Sequence, residues 1–146
     1  MATNRRRVQA SPDAVFAVLA DGWAYAQWVV GAARIRAVDD GFPQPGTHVH
    51  HSIGVWPLLL SDTTAVESWD PPRQAVLTAR AWPTGAARVV VRCEPVSGGT
   101  DVTIWEDAVA GPQRLVPKPL RTVALSLRNR ESLRRLALVA ERHTEP

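Results

Sequence analysis

The sequence predicts an α+β fold in which a curved antiparallel sheet wraps around one long C-terminal helix. Apolar residues recur with helical spacing through the last thirty residues, as far as Ala140. Before that helix, about seventy residues form short β-like runs separated by Pro, Gly and Asp. Two short helical patterns come first. Because helices this short cannot form a core alone, we expect them to pack on the rest of the domain.

The first helix has a clear start signal, which follows a predicted strand over residues 5–9. Ser11 can cap the helix and Pro12 suits its first position. The apolar residues that follow carry the helix to Ala20, where Asp and Gly interrupt it. A second short helix is predicted over residues 23–28.

The middle of the chain predicts a meander of strands. Residues 86–96 alternate clearly between apolar and polar, and Ser97, Gly98 and Gly99 form the turn of a hairpin with the next run. Prolines and glycines mark the other turns. With the first strand, the predicted strands cover residues 5–9, 34–39, 47–55, 59–69, 74–82, 86–96 and 100–108.

The closing helix is predicted over residues 119–142. Leu125 and Asn129 share one stripe with several leucines and alanines, whereas Arg128 and two other arginines face away from it. Further apolar residues widen the apolar face over the first half of the helix, namely Leu120, Val123, Ala124 and Leu127. The pattern therefore predicts that the start of this helix is buried more fully than its end.

The composition predicts one globular domain over residues 1–146, long enough to bury a core. A net charge of +3 is too small to imply a nucleic-acid partner. Cys93 is the single cysteine, so no internal disulfide can form and a reducing compartment is expected. The basic start is not followed by an apolar signal segment, and no apolar run approaches membrane length. We therefore predict a cytoplasmic protein without stable membrane insertion.

Five segments of the chain resemble a known superfamily. They are ASPDAVFAVLADGWAYAQWVVGA, PGTHVHH, AVESWDPPRQAVLTARA, SGGTDVTIWEDAV and NRESLRRLALVAER. In content and order they resemble the opening strand and helices, the middle strands, the last hairpin strand and the closing helix of the START-like superfamily. This superfamily is also called SRPBCC or polyketide cyclase/dehydrase-like. The resemblance covers nearly the whole chain.

The resemblance implies a helix-grip fold, in which a seven-stranded antiparallel sheet grips the C-terminal helix and leaves a cavity between them. It does not imply one reaction, because the superfamily includes aromatase/cyclases of polyketide synthesis, lipid and hormone binders, and chaperone regulators. We expect no cofactor.

Aromatic residues are the first candidates for lining such a cavity. Six tryptophans are many for this length, and tryptophan combines a large apolar wall with one hydrogen-bond donor. Core packing is the alternative for each of them. The amide of Asn129 needs a partner that a ligand could supply, because its stripe faces the sheet. The ligand-binding candidates are Trp23, Tyr25, Trp28, His48, Trp56, Trp82, Leu125 and Asn129.

Histidines form one cluster of candidate chemistry. His48 and His50 share one face of a predicted strand, and His51 lies on the other. We take His50 as the candidate acid or base, because imidazole titrates near neutral pH, with a surface position as the alternative. No further histidine or cysteine lies at ligand spacing, so no metal site is predicted.

Arg80 and Glu106 are the other catalytic candidates. On a concave strand face, Arg80 would stabilise an enolate or anchor a carboxylate, and on the outer face it would simply be solvated. Val102 and Ile104 mark the inner face of the last strand, so Glu106 should point inward. It would act as a general base or form a salt bridge with an arginine.

Three functions stay open on the sequence alone. The first is binding of a small hydrophobic molecule, for example an aromatic or polyketide-like compound. The second is acid–base catalysis of the cyclase/dehydratase type, which we rank lower because no convincing acid–base pair is visible. The third is a protein-interaction module whose cavity is filled by its own side chains. A homodimer is also open, since the apolar turn over residues 54–60 could be a lid, a dimer contact or a membrane-dipping edge.

Overall fold

The computed structural model of the chain describes residues 2–30, 32–55, 58–81 and 85–142. Within these ranges, seven antiparallel strands form one sheet and a 25-residue helix closes the chain. This confirms the predicted helix-grip α+β fold. The elements are β1 (Ala2–Val8), α1 (Pro12–Ala20), α2 (Tyr25–Trp28), β2 (Ala32–Val38), β3 (His48–Val55), β4 (Leu58–Asp70), β5 (Gln74–Ala81), β6 (Gly85–Val96), β7 (Gly99–Ala110) and α3 (Lys118–Arg142).

The sheet is a meander with one exception at its edge. Strands β2 to β7 each pair with the next strand in sequence, whereas β1 pairs with β7. The sheet order is therefore β1-β7-β6-β5-β4-β3-β2, with β1 and β2 at its two edges. The hairpin between β6 and β7 forms at the predicted turn, where Val96 pairs with Gly99.

The helix starts follow the chemistry of the sequence. The side chain of Ser11 accepts a hydrogen bond of 3.1 Å from the backbone N–H of Ala14, which caps α1. Asp21 accepts a bond of 3.1 Å from the backbone N–H of Trp23 and starts a 3₁₀ turn over Gly22–Ala24 that leads into α2. Both short helices pack on α3, as expected for helices that cannot be stable alone.

The core lies between the concave face of the sheet and the second half of α3. Leu133, Leu136 and Ala140 on α3 are buried there, as the predicted stripe requires. Cys93 on β6 is buried in the same core, and burial raises the pKa of its thiol to about 12.

The first half of α3 corrects one prediction. The side chains of Leu120, Val123 and Leu127 are 65%, 57% and 64% exposed, whereas Leu136 is fully buried. The helix is therefore buried more fully toward its end, and the prediction was wrong. At 100° per residue, the three exposed residues lie opposite the buried stripe, and a helix presents only one side to a sheet.

The burial difference along α3 is testable with two matched substitutions. We expect Leu136→Ala to lower the free energy of unfolding by about 2–5 kcal/mol, since it opens a cavity in the core. Leu127→Ala removes the same atoms from an exposed position, so we expect a change within about 0.5 kcal/mol. Urea unfolding followed by circular dichroism measures both. Equal losses would contradict the burial pattern described here.

Candidate functional site

A cavity of about 230 Å³ lies between the concave face of the sheet and α3. Every strand from β2 to β7 contributes to its wall, together with α2 and the middle of α3. Much of the wall is apolar, with Trp28, Leu77, Val89 and Ile104 among its residues. Such a chamber, with a few polar groups, has the general character of a small-molecule site.

The hydroxyl of Thr64 on β4 connects two aromatic side chains of the cavity. It is 2.7 Å from the hydroxyl of Tyr25 and 2.9 Å from Nε2 of His51. The Tyr25 and His51 rings stack almost in parallel, with centroids 5.3 Å apart and an interplanar angle of 10°. All three residues are buried and line the cavity, so the group is a hydrogen-bonded chain held by α2, β3 and β4.

Burial determines the protonation states of Tyr25 and His51 in this hydrogen-bonded chain. Desolvation raises the pKa of Tyr25 to about 12, which keeps its hydroxyl protonated at neutral pH. Desolvation also lowers the pKa of His51, which favours the neutral imidazole. Nδ1 of His51 is buried and has no hydrogen-bond partner within the described residues. Each neutral tautomer therefore leaves one unpaired hydrogen-bonding group on the imidazole.

A second polar group comes from β7 and α3. The carboxylate of Glu106, almost fully buried, forms an ion pair and hydrogen bond with the guanidinium of Arg128. Glu106 thus points inward as predicted, and it has the salt-bridge partner that was its alternative role. Arg128 was predicted to face away, and this was wrong. Arg128 lies on the flank of α3, from which its long side chain reaches back to Glu106 at the cavity wall.

The middle of α3 adds two shorter polar side chains. Asn129 is buried at the cavity wall, and its Nδ2 has no partner among the described residues. Ser132, one turn further on, accepts a hydrogen bond of 3.1 Å from the backbone N–H of Val30. Ser132 thus ties α3 to the segment that leads into β2.

The structure places some of the predicted ligand-binding residues at the cavity wall and others away from it. Tyr25, Trp28 and Asn129 line the cavity. Trp23 does not, because its side chain is 60% exposed at the surface turn before α2. Leu125 is half-buried on α3 outside the lining. Trp56 and Trp82 lie outside the described residues, and so does the centre of the apolar turn over residues 54–60.

Arg80, a predicted catalytic residue, lies at the rim of the cavity. It belongs to the lining, yet as a whole the residue is exposed. This position combines its two predicted alternatives, since a rim guanidinium is solvated and still within reach of the opening.

The structure corrects the prediction of which histidines face the cavity. Asp39 binds both His48 and His50, with distances of 2.9 Å to His48 Nδ1 and 2.7 Å to His50 Nε2. Neither histidine lines the cavity, and the cavity histidine is His51. The choice of His48 and His50 was therefore wrong as regards the cavity, because alternation along β3 puts them on its outer face. Within the described ranges, no three His, Cys, Asp or Glu side chains are grouped to hold a metal ion.

Sequence reasoning missed His51, Thr64, Arg128 and Ser132 as cavity residues. A signal for His51 existed, since it stands two positions after the apolar Val49 and therefore shares the face of the strand on which Val49 lies. Thr64 and Ser132 carry no such signal, because their roles depend on partners far away in sequence.

Comparison with known proteins agrees with this geometry. Residues 2–141 match the family described as "Polyketide cyclase / dehydrase and lipid transport". The chain belongs to this family. The family's sequence pattern therefore runs from the start of β1 to the next-to-last residue of α3, and the predicted superfamily is confirmed. A search of curated proteins finds no match.

Solved structures share this family's fold with the chain at low sequence identity. A Staphylococcus aureus protein of unknown function, SA2116, has a TM-score of 0.76 and 15% identity, covering 99% of this chain and 95% of that one. A Rhodobacter sphaeroides protein has a TM-score of 0.72 and 20% identity, covering 98% of this chain and 92% of that one. The di-domain ARO/CYC StfQ from the steffimycin biosynthetic pathway has a TM-score of 0.70 and 14% identity. The match covers 97% of this chain and 50% of StfQ.

The lowered pKa of His51 predicts how stability depends on pH. Below about pH 6.5 an unfolded histidine takes up a proton, whereas folded His51 stays neutral to lower pH. The free energy of unfolding should therefore fall as the pH drops through this window. As the pH is lowered from about 7.5 to about 5.5, we expect the free energy of unfolding to fall less in the His51→Gln variant than in the wild type.

Thermal unfolding across this pH range measures the effect, and the comparison is between slopes, since the substitution also changes stability at every pH. His48 and His50 are present in both proteins, so their contributions to the two slopes are the same and cancel in the comparison. Identical slopes would show that His51 does not stay neutral through burial.

Proposed function

We propose that this protein binds a small, largely apolar molecule in the cavity between the sheet and α3. The observation that carries the proposal is an apolar chamber with buried hydrogen-bonding atoms that have no partner within the described residues, Nδ2 of Asn129 and Nδ1 of His51. Buried polar atoms are rarely left unpaired, because each unpaired atom costs about 1–3 kcal/mol. A ligand with matching polar groups would satisfy them.

The size and charge of the cavity describe the ligand further. Its volume of about 230 Å³ is slightly below the roughly 300–1,000 Å³ typical of ligand sites. This favours a compact molecule, for example one with a single ring or with two fused rings. Arg128 already pairs with Glu106, and the other charged lining residue, Arg80, is exposed at the rim, so the buried part of the wall offers no excess charge to an ionised ligand. We therefore expect a neutral ligand with an apolar body and one or two oxygen groups.

The comparisons support a ligand-binding role without naming the ligand. The family description includes cyclases, dehydrases and lipid transport, and each of these activities needs a cavity for a mostly apolar molecule. The empty volume also disfavours the interaction module with a filled cavity.

Binding can be tested by filling the cavity. Ala79 on β5 lines it, and the neighbouring Thr78 lies on the other face of the strand, where its hydroxyl bonds to Glu67. With 2-naphthol as a neutral probe, we expect wild type and Thr78→Phe to bind, and Ala79→Phe to bind at least about tenfold more weakly, since its ring takes up the space.

Fluorescence titration of 2-naphthol measures these affinities, and native mass spectrometry of freshly purified protein shows whether a small molecule co-purifies. Equal binding by Ala79→Phe and Thr78→Phe would place the probe elsewhere. If the wild type neither binds 2-naphthol nor carries a co-purified molecule, the proposal fails.

A second candidate function, acid–base catalysis, is favoured by the chain of Tyr25, Thr64 and His51. When Thr64 accepts from one neighbour and donates to the other, the chain ends in one donor and one acceptor. In one direction, His51 Nε2–H donates to Thr64, Thr64 donates to Tyr25, and the Tyr25 hydroxyl is free to donate to a ligand. His51 Nδ1 then carries a free lone pair.

This arrangement is suited to enolisation of a ketone. A proton would pass from the carbon beside the carbonyl to His51 Nδ1, while the Nε2 proton moves to Thr64. The Thr64 proton moves to Tyr25, and the Tyr25 proton to the carbonyl oxygen. The ligand becomes its enol, and the imidazole ends neutral in its other tautomer. No cofactor is needed for this proton transfer.

Thr64→Val tests the catalytic candidate because it keeps the side-chain shape and removes the connecting hydroxyl. With 1-indanone in D₂O, we expect the wild type to accelerate exchange of the protons next to the carbonyl, and Thr64→Val to lose roughly 10²-fold or more of that rate. Thr63→Val is the matched control, since Thr63 lies on the outer face of β4, paired with His50.

Proton NMR follows the exchange, and calorimetry measures 1-indanone binding separately. A wild type that binds 1-indanone without accelerating exchange would rule out the catalytic role and leave the binding function intact.

A further inference from the structure

The outer side of α3 carries an apolar surface that faces solvent. We call it the outer patch and define it as Leu120, Val123 and Leu127 on α3, together with the exposed Leu115 and Val116 in the segment that leads into the helix. Leu115 is 85% exposed, and the three α3 members of the patch are each more than half exposed. Single exposed apolar residues are ordinary, but a contiguous group along one helix marks an interaction surface.

The outer patch is separate from the cavity. Leu120, Val123 and Leu127 lie on one side of α3, and Asn129 and Ser132 line the cavity on the opposite side. From Leu120 to Leu127 the helix rises by about 10 Å, so these side chains form a narrow strip parallel to the helix axis. Ligand binding in the cavity therefore does not explain the apolar outer side.

Charge around the patch identifies its partner. Residues 109–142 contain seven arginines and one lysine against two glutamates, and Glu131 is paired with Arg134 and Arg135. Lys118 and Arg130 are exposed and have no ion pair within the described residues, whereas Arg121 and Arg128 are paired with acids on β7. At 100° per residue, Arg130 lies next to Val123 on the outer side of α3. A helix of net positive charge with an aliphatic side and a free arginine beside it has the character of a helix that lies on an anionic lipid surface.

We propose that the outer patch docks α3 flat against an anionic lipid bilayer. The aliphatic side chains would enter the boundary between headgroups and acyl chains, and Arg130 would contact the lipid phosphates. Docking of this kind is peripheral. None of the helices in the described part of the chain is long and apolar enough to cross a membrane.

Two other occupants fit less well. A second copy, paired antiparallel along this side, would bring together two helices that each carry seven basic residues against two acidic ones, and so place like charges close to each other. A folded protein partner usually binds through tryptophan, tyrosine or arginine anchors in pockets, whereas the patch is a strip of leucine and valine.

Vesicle flotation tests the proposal. We expect the wild type to bind vesicles of phosphatidylcholine with phosphatidylglycerol at least about tenfold more strongly than vesicles of phosphatidylcholine alone, and about 0.5 M NaCl to weaken this binding. The double variant Leu120→Gln with Leu127→Gln should bind the anionic vesicles on the order of tenfold more weakly, since it loses apolar contact area. Trp23→Gln is the control, because Trp23 is also exposed but lies in the turn before α2 and not on α3.

A second pair of variants isolates the charges. Arg130→Gln should reduce anionic binding, whereas Arg73→Gln, which has the same net charge and lies in the turn between β4 and β5, should keep most of it. All of these positions are exposed, so melting temperatures should stay close to that of the wild type.

Several results would overturn the proposal. They are an absence of vesicle binding by the wild type, equal binding to neutral and anionic vesicles, and equal losses in the patch and control variants. A concentration-dependent dimer in analytical ultracentrifugation that the patch variants abolish would assign the surface to a second copy instead. Each of these outcomes is independent of 2-naphthol binding in the cavity.

Discussion

α3 packs on the concave face of the sheet through one side only. The cavity and the outer patch both follow from this packing. Leu133, Leu136 and Ala140 bury the second half of the helix in the core. Hydrogen bonds at two further points fix its first half and its middle, from Asn4 on β1 to Ser126 and from Val30 to Ser132. Between these anchors the helix spans the sheet without filling the space, and this unfilled space is the cavity.

The polar groups in that space find their partners in two ways, one group through an ion pair and the other through a chain of hydrogen bonds. Glu106 and Arg128 neutralise each other, so this pair can be retained near an apolar ligand without a net buried charge. Tyr25, Thr64 and His51 share hydrogen bonds that leave a free position at the end of the chain. The first pair therefore defines the electrostatics of the site, and the second group supplies its directional hydrogen bonding.

Sequence reasoning predicted the architecture because each element carries its own local signal. The cap at Ser11, the turn at Gly98 and the alternation that points Glu106 inward are properties of neighbouring residues, and the structure has all three. The outer position of His50 was also readable from alternation, although the wrong face was chosen. Arg128 and Thr64 were not readable, since each depends on a partner brought close only by the folded chain.

The buried cysteine has a practical consequence for studying this molecule. Cys93 is the chain's single thiol, and its raised pKa and inaccessibility make it unreactive toward alkylating reagents in the native state. A cysteine introduced at any exposed position would therefore be the only site modified by a maleimide dye or nitroxide. With two such cysteines, one on α3 and one on the sheet, distances between these elements can be followed spectroscopically without first removing the natural residue.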